Sequence, residues 1–424
     1  MNAITRRQFL RGATATVALP YLIPASVLGA NAPSKQISVG FIGVGNHGLG
    51  WNLDRYLKLP AARVRMVCDV DGWRMRKAKA VVDSVYDNQD CAQTKDFREV
   101  LARPDIDAVM ISTPDHWHTL ISVLAARAGK DVQCEKPTLT VEEGKILIKT
   151  IRKYKRVFQT STEDRSLPMY HRMAELVRNG RIGKLQKIDV ILPRQPTFAG
   201  DATPQPVPAE LDYDMWLGPA PEAPYTKDRT HDTFRWIWDY SGGIISDWGA
   251  HLFDTAQWAN NTERSGPVEV EGKSTFWEGG LFNTVKDYEV TYRYANGVVM
   301  TCVPGTPGIM FIGTDGWVGN RGWRGALEAS SPDILNSVIG PRETHLYTNP
   351  EGEHDDFLKC VKSRKDPYFP VDIGHRVATV CHIGNISCRL GRKLKWDPKA
   401  ERFKKDDEAN KMLSRPMRKP WSLT

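Results

Sequence analysis

The sequence predicts an α/β chain, with a parallel doubly wound sheet in its N-terminal part and an α+β unit on a mostly antiparallel sheet after it. Three observations carry this. Short apolar runs alternate with helical patterns over residues 37–161, which implies right-handed crossovers and a parallel sheet covered on both faces. A glycine-rich hexapeptide, Gly43-Val44-Gly45-Asn46-His47-Gly48, stands where the first strand gives way to the first helix. Beyond residue 267, strand-like runs follow one another with turns and no helix between them, as in an antiparallel sheet.

In order, Ile37–Ile42 reads as a strand and 46–57 as a helix. Strand 64–67 and helix 73–85 repeat the unit. Strand 108–112, helix 120–128, strand 132–134, helix Val141–Tyr154 and strand 157–161 complete it. The pattern then changes. A helix is expected over 169–178 and a strand over 185–192, followed by a proline-rich loop over 193–224, long enough to serve as a lid or a substrate wall. Residues 242–259 have helical spacing. Residues 267–320 read as consecutive strands, with a turn at Asn296-Gly297 and seven glycines from Gly305 to Gly325 marking a tight meander. Helices are expected over 355–361 and 376–390. The chain thus divides into 33–162, where strands and helices alternate, 163–390, where an α+β pattern takes over, and 391–424, a basic tail expected to wrap the surface.

Hydrophobic residues make up 41% and charged residues 25% of the 424, an ordinary globular mix that leaves no reason to expect long disorder. The net charge of +8 is concentrated at the ends: three arginines and no acid in residues 1–32, and twelve Lys/Arg against five Asp/Glu in 389–420. The body between is near neutral, which argues against a nucleic-acid partner. At the N-terminus, Thr5-Arg6-Arg7-Gln8-Phe9-Leu10 precedes an apolar stretch and Ala30-Asn31-Ala32. That order describes a signal peptide over 1–32, and the paired arginines resemble the twin-arginine type, so a periplasmic or otherwise exported location is expected. Pro20 and Pro24 interrupt the apolar stretch, which argues against a stable membrane span. No two of the seven cysteines have C-x-x-C spacing, so zinc is not expected. They read as mostly buried thiols, with one or two disulfides left open in an exported protein.

Gly43, Gly45 and Gly48 form G-x-G-x-x-G between a strand and a helix, the context the motif requires. The first glycine permits the tight turn, the second lets the backbone approach a pyrophosphate, and the third lets helix and strand pack closely. The helix N-terminus then offers free N–H groups to the anion. Asp69 ends the next strand, 21 residues after Gly48. A carboxylate there accepts both ribose hydroxyls and repels a 2′-phosphate, favouring NAD over NADP; Asp71 is the runner-up. Asn46 and His47 lie in the same loop. Two further segments follow strands at their carboxyl ends, where open α/β sheets bind ligands: Ser112-Thr113-Pro114-Asp115-His116-Trp117-His118 and Cys134-Glu135-Lys136-Pro137. Thr113, Pro114, His118, Glu135 and Lys136 are therefore cofactor-side candidates. The His-x-His pair has no third ligand at matching spacing, so loop packing is preferred to a metal, and no metal is expected.

Asp247, His251 and Asp254 are spaced i, i+4, i+7 and share one predicted helical face. Histidine titrates near neutrality and suits proton transfer from an alcohol; a structural histidine beside helix acids is the plainer alternative. Arg165, His231 and Trp248 are candidate substrate contacts, with the loop at 193–224 and the segment 231–240 forming the pocket wall.

GVGNHG, STPDHWH, CEKP and DWGAHLFD, in that order over nearly all of 37–420, resemble the glucose–fructose oxidoreductase, inositol dehydrogenase and MocA (Gfo/Idh/MocA) family, in an exported branch. The resemblance implies a Rossmann NAD-binding domain over 33–162, a substrate-binding α/β domain over 163–390, a catalytic set of Lys136, Asp247 and His251, a bound NAD, a carbohydrate substrate, and a homodimer or homotetramer. It leaves three activities open: net oxidoreduction of a sugar, sugar acid or glycoside; NAD-dependent glycoside hydrolysis by transient oxidation and elimination; and non-catalytic sugar binding, against which the intact triad argues.

Overall fold

The computed structural model describes residues 36–423; the expected signal segment at 1–32 lies outside them. Among the described residues no helix is long and apolar enough to cross a membrane.

The first sheet contains β1 (Ile37–Ile42), β2 (Ala62–Cys68), β3 (Ala92–Thr94), β4 (Ala108–Ile111), β5 (Asp131–Glu135) and β6 (Phe158–Ser161). All are parallel, in the order β3-β2-β1-β4-β5-β6. The central strands β1 and β4 are almost wholly apolar because both faces are buried. Along β4, Ala108 and Met110 enter one core while Val109 and Ile111 enter the other, the period of two expected of a strand. The crossover helices include α1 (Gly72–Tyr86), α2 (Asp115–Arg127) and α3 (Val141–Tyr154). Short β3 and the one-and-a-half-turn helix Phe97–Ala102 went unpredicted, being too brief for periodicity to register.

After α4 (Pro168–Arg178) comes β7 (Leu185–Pro193). The helix expected over 242–259 is present as α5 (Ile244–Asp247) and α6 (Gly249–Ala259), interrupted at Trp248. Then follow β8 (Pro267–Phe276), β9 (Val285–Tyr294), β10 (Val299–Gly305), β11 (Gly308–Gly313), β12 (Trp317–Asn320) and β13 (Glu328–Ala329), then α7 (Glu353–Ser363) and α8 (Val371–Leu390), and finally β14 (Leu394–Asp397) and β15 (Arg402–Phe403). The nine strands run β13-β12-β11-β7-β10-β9-β8-β14-β15, and only β7 and β10 pair in parallel. Helices α4, α6 and α8 pack on one face of this sheet through Tyr170, Phe253, Ile383 and the alternate residues Tyr288, Val290 and Tyr292 of β9.

Two features depart from the expected organisation. The tail does not simply wrap the surface. Leu394–Asp397 adds a strand to β8, Trp396, Phe403 and Leu413 enter the core beneath the sheet, and Leu423 reaches the core of the first sheet. Its charged composition hid this, because lysine and arginine keep their heads in water while the few apolar residues between them anchor the chain. Helix α7 also packs Phe357, Leu358 and Cys360 onto the first sheet's core, so the C-terminal segment buttresses the N-terminal fold. All seven cysteines are buried free thiols, which closes the disulfide question in favour of core packing.

Candidate active site

The site begins at the carboxyl end of β1, where the neighbouring strands diverge in topology. Gly43 has φ +86, and a Cβ there would lie 2.6 Å from the Ser112 carbonyl carbon. A Cβ on Gly48 would lie 2.4 Å from the Gly43 oxygen. Only glycine lets β1, the end of β4 and the following helix approach this closely. The helix opens as a wide i→i+5 turn, Gly48–Leu53, with no acid in its first turn. Its N-terminus is therefore an open anion cradle, with the Arg74 guanidinium across from Gly45. Sequence reading missed Arg74, since its proximity depends on how α1 crosses the loop.

Asp69 accepts from Val44 N at 2.8 Å and from Asp71 N at 2.9 Å. It shapes the glycine loop while each oxygen keeps a second lone pair for a ribose hydroxyl. Burial raises its pKa against these two hydrogen bonds. Asp71, the runner-up, caps α1 by accepting from Trp73 N and Arg74 N and also lines the cavity. Asn46 donates to Asp232 at 2.8 Å, and His47 sits 3.0 Å from Glu135. Glu135 also accepts from Asn52. Its burial would favour the neutral form, but His47 and Lys136 hold it well below the usual carboxylate range. His118 stands within 2.8 Å of both the Pro137 and Thr113 carbonyls, tying together the two loops that carry the second cluster. His116 turns elsewhere, to the Trp216 carbonyl. The pair does not converge, as the loop-packing reading expects.

Asn46, His47, Asp69, Thr113, Pro114, His118, Glu135 and the three loop glycines all line one cavity. Lys136, Asp247 and His251 line its far end. The interruption between α5 and α6 explains how they meet. His251 N bonds the Trp248 oxygen, not the Asp247 carbonyl four residues back. That carbonyl accepts from Lys136 Nζ at 2.8 Å, as does Asp247 Oδ1 at 2.8 Å. Arg235 Nε donates to the other oxygen, Oδ2, at 3.2 Å. Burial works against both charges of the pair. The mutual attraction wins: Lys136 is raised, and Asp247 is held well below the usual range by Lys136 and Arg235. Burial and the Lys136 charge push His251 down to about 3. Its imidazole is neutral and able to accept a proton. Nδ1 lies 2.8 Å from the Thr162 hydroxyl, leaving Nε2 for chemistry. Trp248 and Trp323 meet edge to face at 4.7 Å beside the ring and form an apolar wall. Thr162 and Trp323 carry no motif and were not foreseen; Arg235 falls within the expected wall segment 231–240, but its tie to Asp247 was not foreseen.

Several expectations need correction. Arg165 is not a substrate contact. It is 3% exposed, donates from Nε and Nη2 to the two oxygens of Asp254 at 2.7 and 2.6 Å, and stacks over Trp258 and Phe369. Asp254 is fully buried and accepts both of these hydrogen bonds. His231 lines the cavity beside Asp71, 3.8 Å away, on the glycine-loop side and not at the Lys136 end. The loop at 193–224 likewise docks there: Gly72 N bonds the Glu210 oxygen and Asp212 N the Val70 oxygen, and Leu211, Met215 and Trp216 line that half. Trp248 alone of the three proposed substrate contacts lies next to His251.

Comparison with known proteins agrees with this geometry. Residues 37–162 match the description "Oxidoreductase family, NAD-binding Rossmann fold", and residues 197–423 match "Oxidoreductase family, C-terminal alpha/beta domain", both of the Gfo/Idh/MocA type. An uncharacterized oxidoreductase, YrbE, of Bacillus subtilis is 26% identical over 366 residues, 85% of this chain and 92% of that protein. A glycosyl hydrolase family 109 protein of Saccharopolyspora erythraea is 37% identical over 126 residues, 29% of this chain and 27% of its own length. Among solved structures, the WlbA dehydrogenase from Bordetella pertussis, in complex with NADH and UDP-GlcNAcA, has a TM-score of 0.64 at 16% identity, covering 85% of this chain and 99% of the other, a likeness of fold.

Proposed function

This chain belongs to the Gfo/Idh/MocA oxidoreductase family, with an NAD-binding Rossmann domain, and on that premise we propose that it transfers a hydride between a hydroxyl-bearing carbon of a sugar, sugar acid or glycoside and tightly held NAD. The observation that carries the reading is the meeting of Lys136, Asp247 and His251 at the end of the glycine-loop cavity. Bound NAD supplies the hydride acceptor. The chain supplies the rest. The loop 43–48 and the helix behind it hold the pyrophosphate, and Asp69 receives the ribose hydroxyls. His251 Nε2 takes the proton of the reacting hydroxyl. Lys136 donates to the same oxygen and stabilises the negative charge that grows there. Asp247 fixes the ammonium and, with Arg235, faces a neighbouring hydroxyl. Trp248 and Trp323 offer a flat apolar surface to the ring.

Carbohydrate specificity is supported by UDP-GlcNAcA in the WlbA structure and by this aromatic wall. The partial likeness to a glycosyl hydrolase favours a second reading, NAD-dependent glycoside hydrolysis. That cycle needs an acid to expel the aglycone. Of the acids near His251, Asp254 is locked to Arg165, and Glu163, which lines the cavity, is ion-paired with Arg324. Net oxidoreduction is therefore preferred. Product analysis with an aryl glycoside and catalytic amounts of enzyme separates the two. A keto sugar formed with an external acceptor, and no aglycone, is expected; many turnovers of aglycone without oxidant establish hydrolysis instead.

Export through the twin-arginine route, expected from Arg6-Arg7, belongs to the same proposal: a protein exported folded carries its NAD with it. Protein recovered from the periplasm is expected to release nicotinamide on denaturation. Recovery only from the cytoplasm, or an empty protein without NAD affinity, contradicts it. A homodimer or homotetramer is also expected, and the sedimentation of that same preparation checks it.

A further inference from the structure

Glu163, Asp164 and Arg165 are consecutive, yet their side chains have three separate destinations. Glu163 goes to Arg324 and Arg165 to Asp254. Asp164 is fully buried, and neither of its oxygens has a hydrogen-bond partner among the described residues. The indole N–H of Trp323, which favours its anion, is also unpartnered at normal hydrogen-bond geometry. A buried carboxyl without a partner is costly, and native proteins retain such a group rarely. Asp164 Oδ2 lies 3.6 Å from His251 Nδ1, on the side of the ring opposite the nitrogen left for chemistry. Thr162 Oγ1 holds that Nδ1 at 2.8 Å.

We infer that Asp164 is a positioning acid for His251, holding the positive charge that the imidazole acquires when Nε2 takes a proton from a bound alcohol. The inference rests on the proposed oxidoreductase reading. In the resting site Nδ1 carries the proton and points it at the Thr162 hydroxyl, which fixes the tautomer and leaves Nε2 with its lone pair. During reaction the alcohol O–H bond breaks toward Nε2, and the carbon's hydride leaves to the oxidised nicotinamide as the carbonyl forms. The Nδ1 proton stays on the ring and turns from Thr162 Oγ1 to Asp164 Oδ2. The product is a neutral imidazolium–carboxylate pair, and no other reactant is needed.

The surroundings suit this use. Lys136, Asp247, Glu135 and His47 act on His251; Asp254 and Lys136 act on Asp164, which in turn is felt by Glu353 and Tyr170. Burial, reinforced by the Asp254 charge, pushes the Asp164 carboxyl up to about 7. Only its ionised form accepts the Nδ1 proton, so turnover should fall as pH drops through that region. Glu163, Asp164 and His251 also bring one donor atom each within 4.8 Å of the others. A divalent cation there would have to displace Arg324 from Glu163 or Thr162 from His251, so the histidine–carboxyl pair is preferred.

The test is Asp164→Asn, nearly isosteric and able to stay buried, in the NAD-loaded protein. We expect kcat to fall by roughly 10²-fold, the lower end of what a positioned base contributes, with KM and NAD content little changed and the acidic limb of the kcat–pH profile lost. A second readout needs no substrate. Carboxyl-labelled aspartate NMR of the resting protein should show one group titrating near neutrality, absent in Asp164→Asn and shifted in His251→Gln. Wild-type kcat and pH profile in Asp164→Asn, or a near-neutral carboxyl indifferent to His251, overturns the assignment. Stoichiometric Mn²⁺ binding that Asp164→Asn abolishes also overturns it, in favour of a metal site. If no sugar is oxidised but the NMR coupling is present, the substrate reading fails and the pair stands.

Discussion

Alanine at His251 or Lys136 is expected to lower turnover by roughly 10²–10⁴, the contribution typical of a positioned proton acceptor, without loss of bound NAD. The two variants should differ in detail. His251→Ala removes the proton acceptor and leaves the Lys136–Asp247 pair in place, so kcat and kcat/KM should fall together, as for an interaction realised in the transition state. Lys136→Ala also leaves the buried Asp247 carboxylate with Arg235 alone, so some loss of stability accompanies the rate. Steady-state kinetics beside nicotinamide quantitation on each variant checks this. Full turnover by both variants on a true substrate would remove Lys136 and His251 from the chemistry.

The second large effect lies away from the cavity. Arg165 and Asp254 form a bidentate pair at 3% and 0% side-chain exposure; without Asp254, Arg165 keeps only the longer ion pair to Glu263 at 3.6 Å, and without Arg165 the Asp254 carboxylate is buried unpaired. Asp254→Ala is expected to destabilise the fold by about 3–5 kcal/mol. The Tyr368 carbonyl, which accepts from Arg165, cannot replace a carboxylate. Denaturant titration of the NAD-loaded variant measures the loss, and Arg165→Met, which removes the charge but keeps apolar volume, should also destabilise through the unpaired Asp254. Wild-type midpoints in both would show the pair to be energetically idle. Neither group lines the cavity, so well above neutrality any fall in turnover should follow the fraction folded, while loss of the Asp254 charge moves the acidic limb set by Asp164 to lower pH.

These two predictions also mark what the sequence made legible. Residues at strand ends were readable, because a G-x-G-x-x-G or an E-K-P at the end of an apolar run has its position fixed by local geometry. Lys136 was identified through a motif of that kind, Asp247 and His251 through their i, i+4 helical spacing, and the three as a set through the family resemblance; the cavity brings them together. Arg165 was misread because its partner is 89 residues away; a lone arginine in a loop gives no hint that the fold will bury it. Thr162, Trp323 and Asp164, and Arg235 as a partner of Asp247, were missed for the same reason. They reach His251 or Asp247 from three different segments, and only the packing of β6 and the turn after it, the 231–236 turn and the strand meander juxtaposes them. The proline-rich loop was recognised as a wall, but its backbone bonds to Val70 and Gly72 place it at the nucleotide half, a pairing that composition cannot encode. The tail shows the converse limit: its charge was legible, but its added strand β14 and buried Trp396 depend on an edge that β8 leaves open.

The central claim is that Lys136, Asp247 and His251 serve hydride transfer from a sugar to NAD held in the same cavity. Its most direct test mixes the NAD-loaded protein with single mono- and disaccharides and follows the absorbance of reduced nicotinamide. The account predicts saturable reduction of the bound cofactor by at least one sugar, absent in His251→Ala. Reduction by small hydroxy acids with no response to any sugar, or reduction undiminished in His251→Ala, would contradict it.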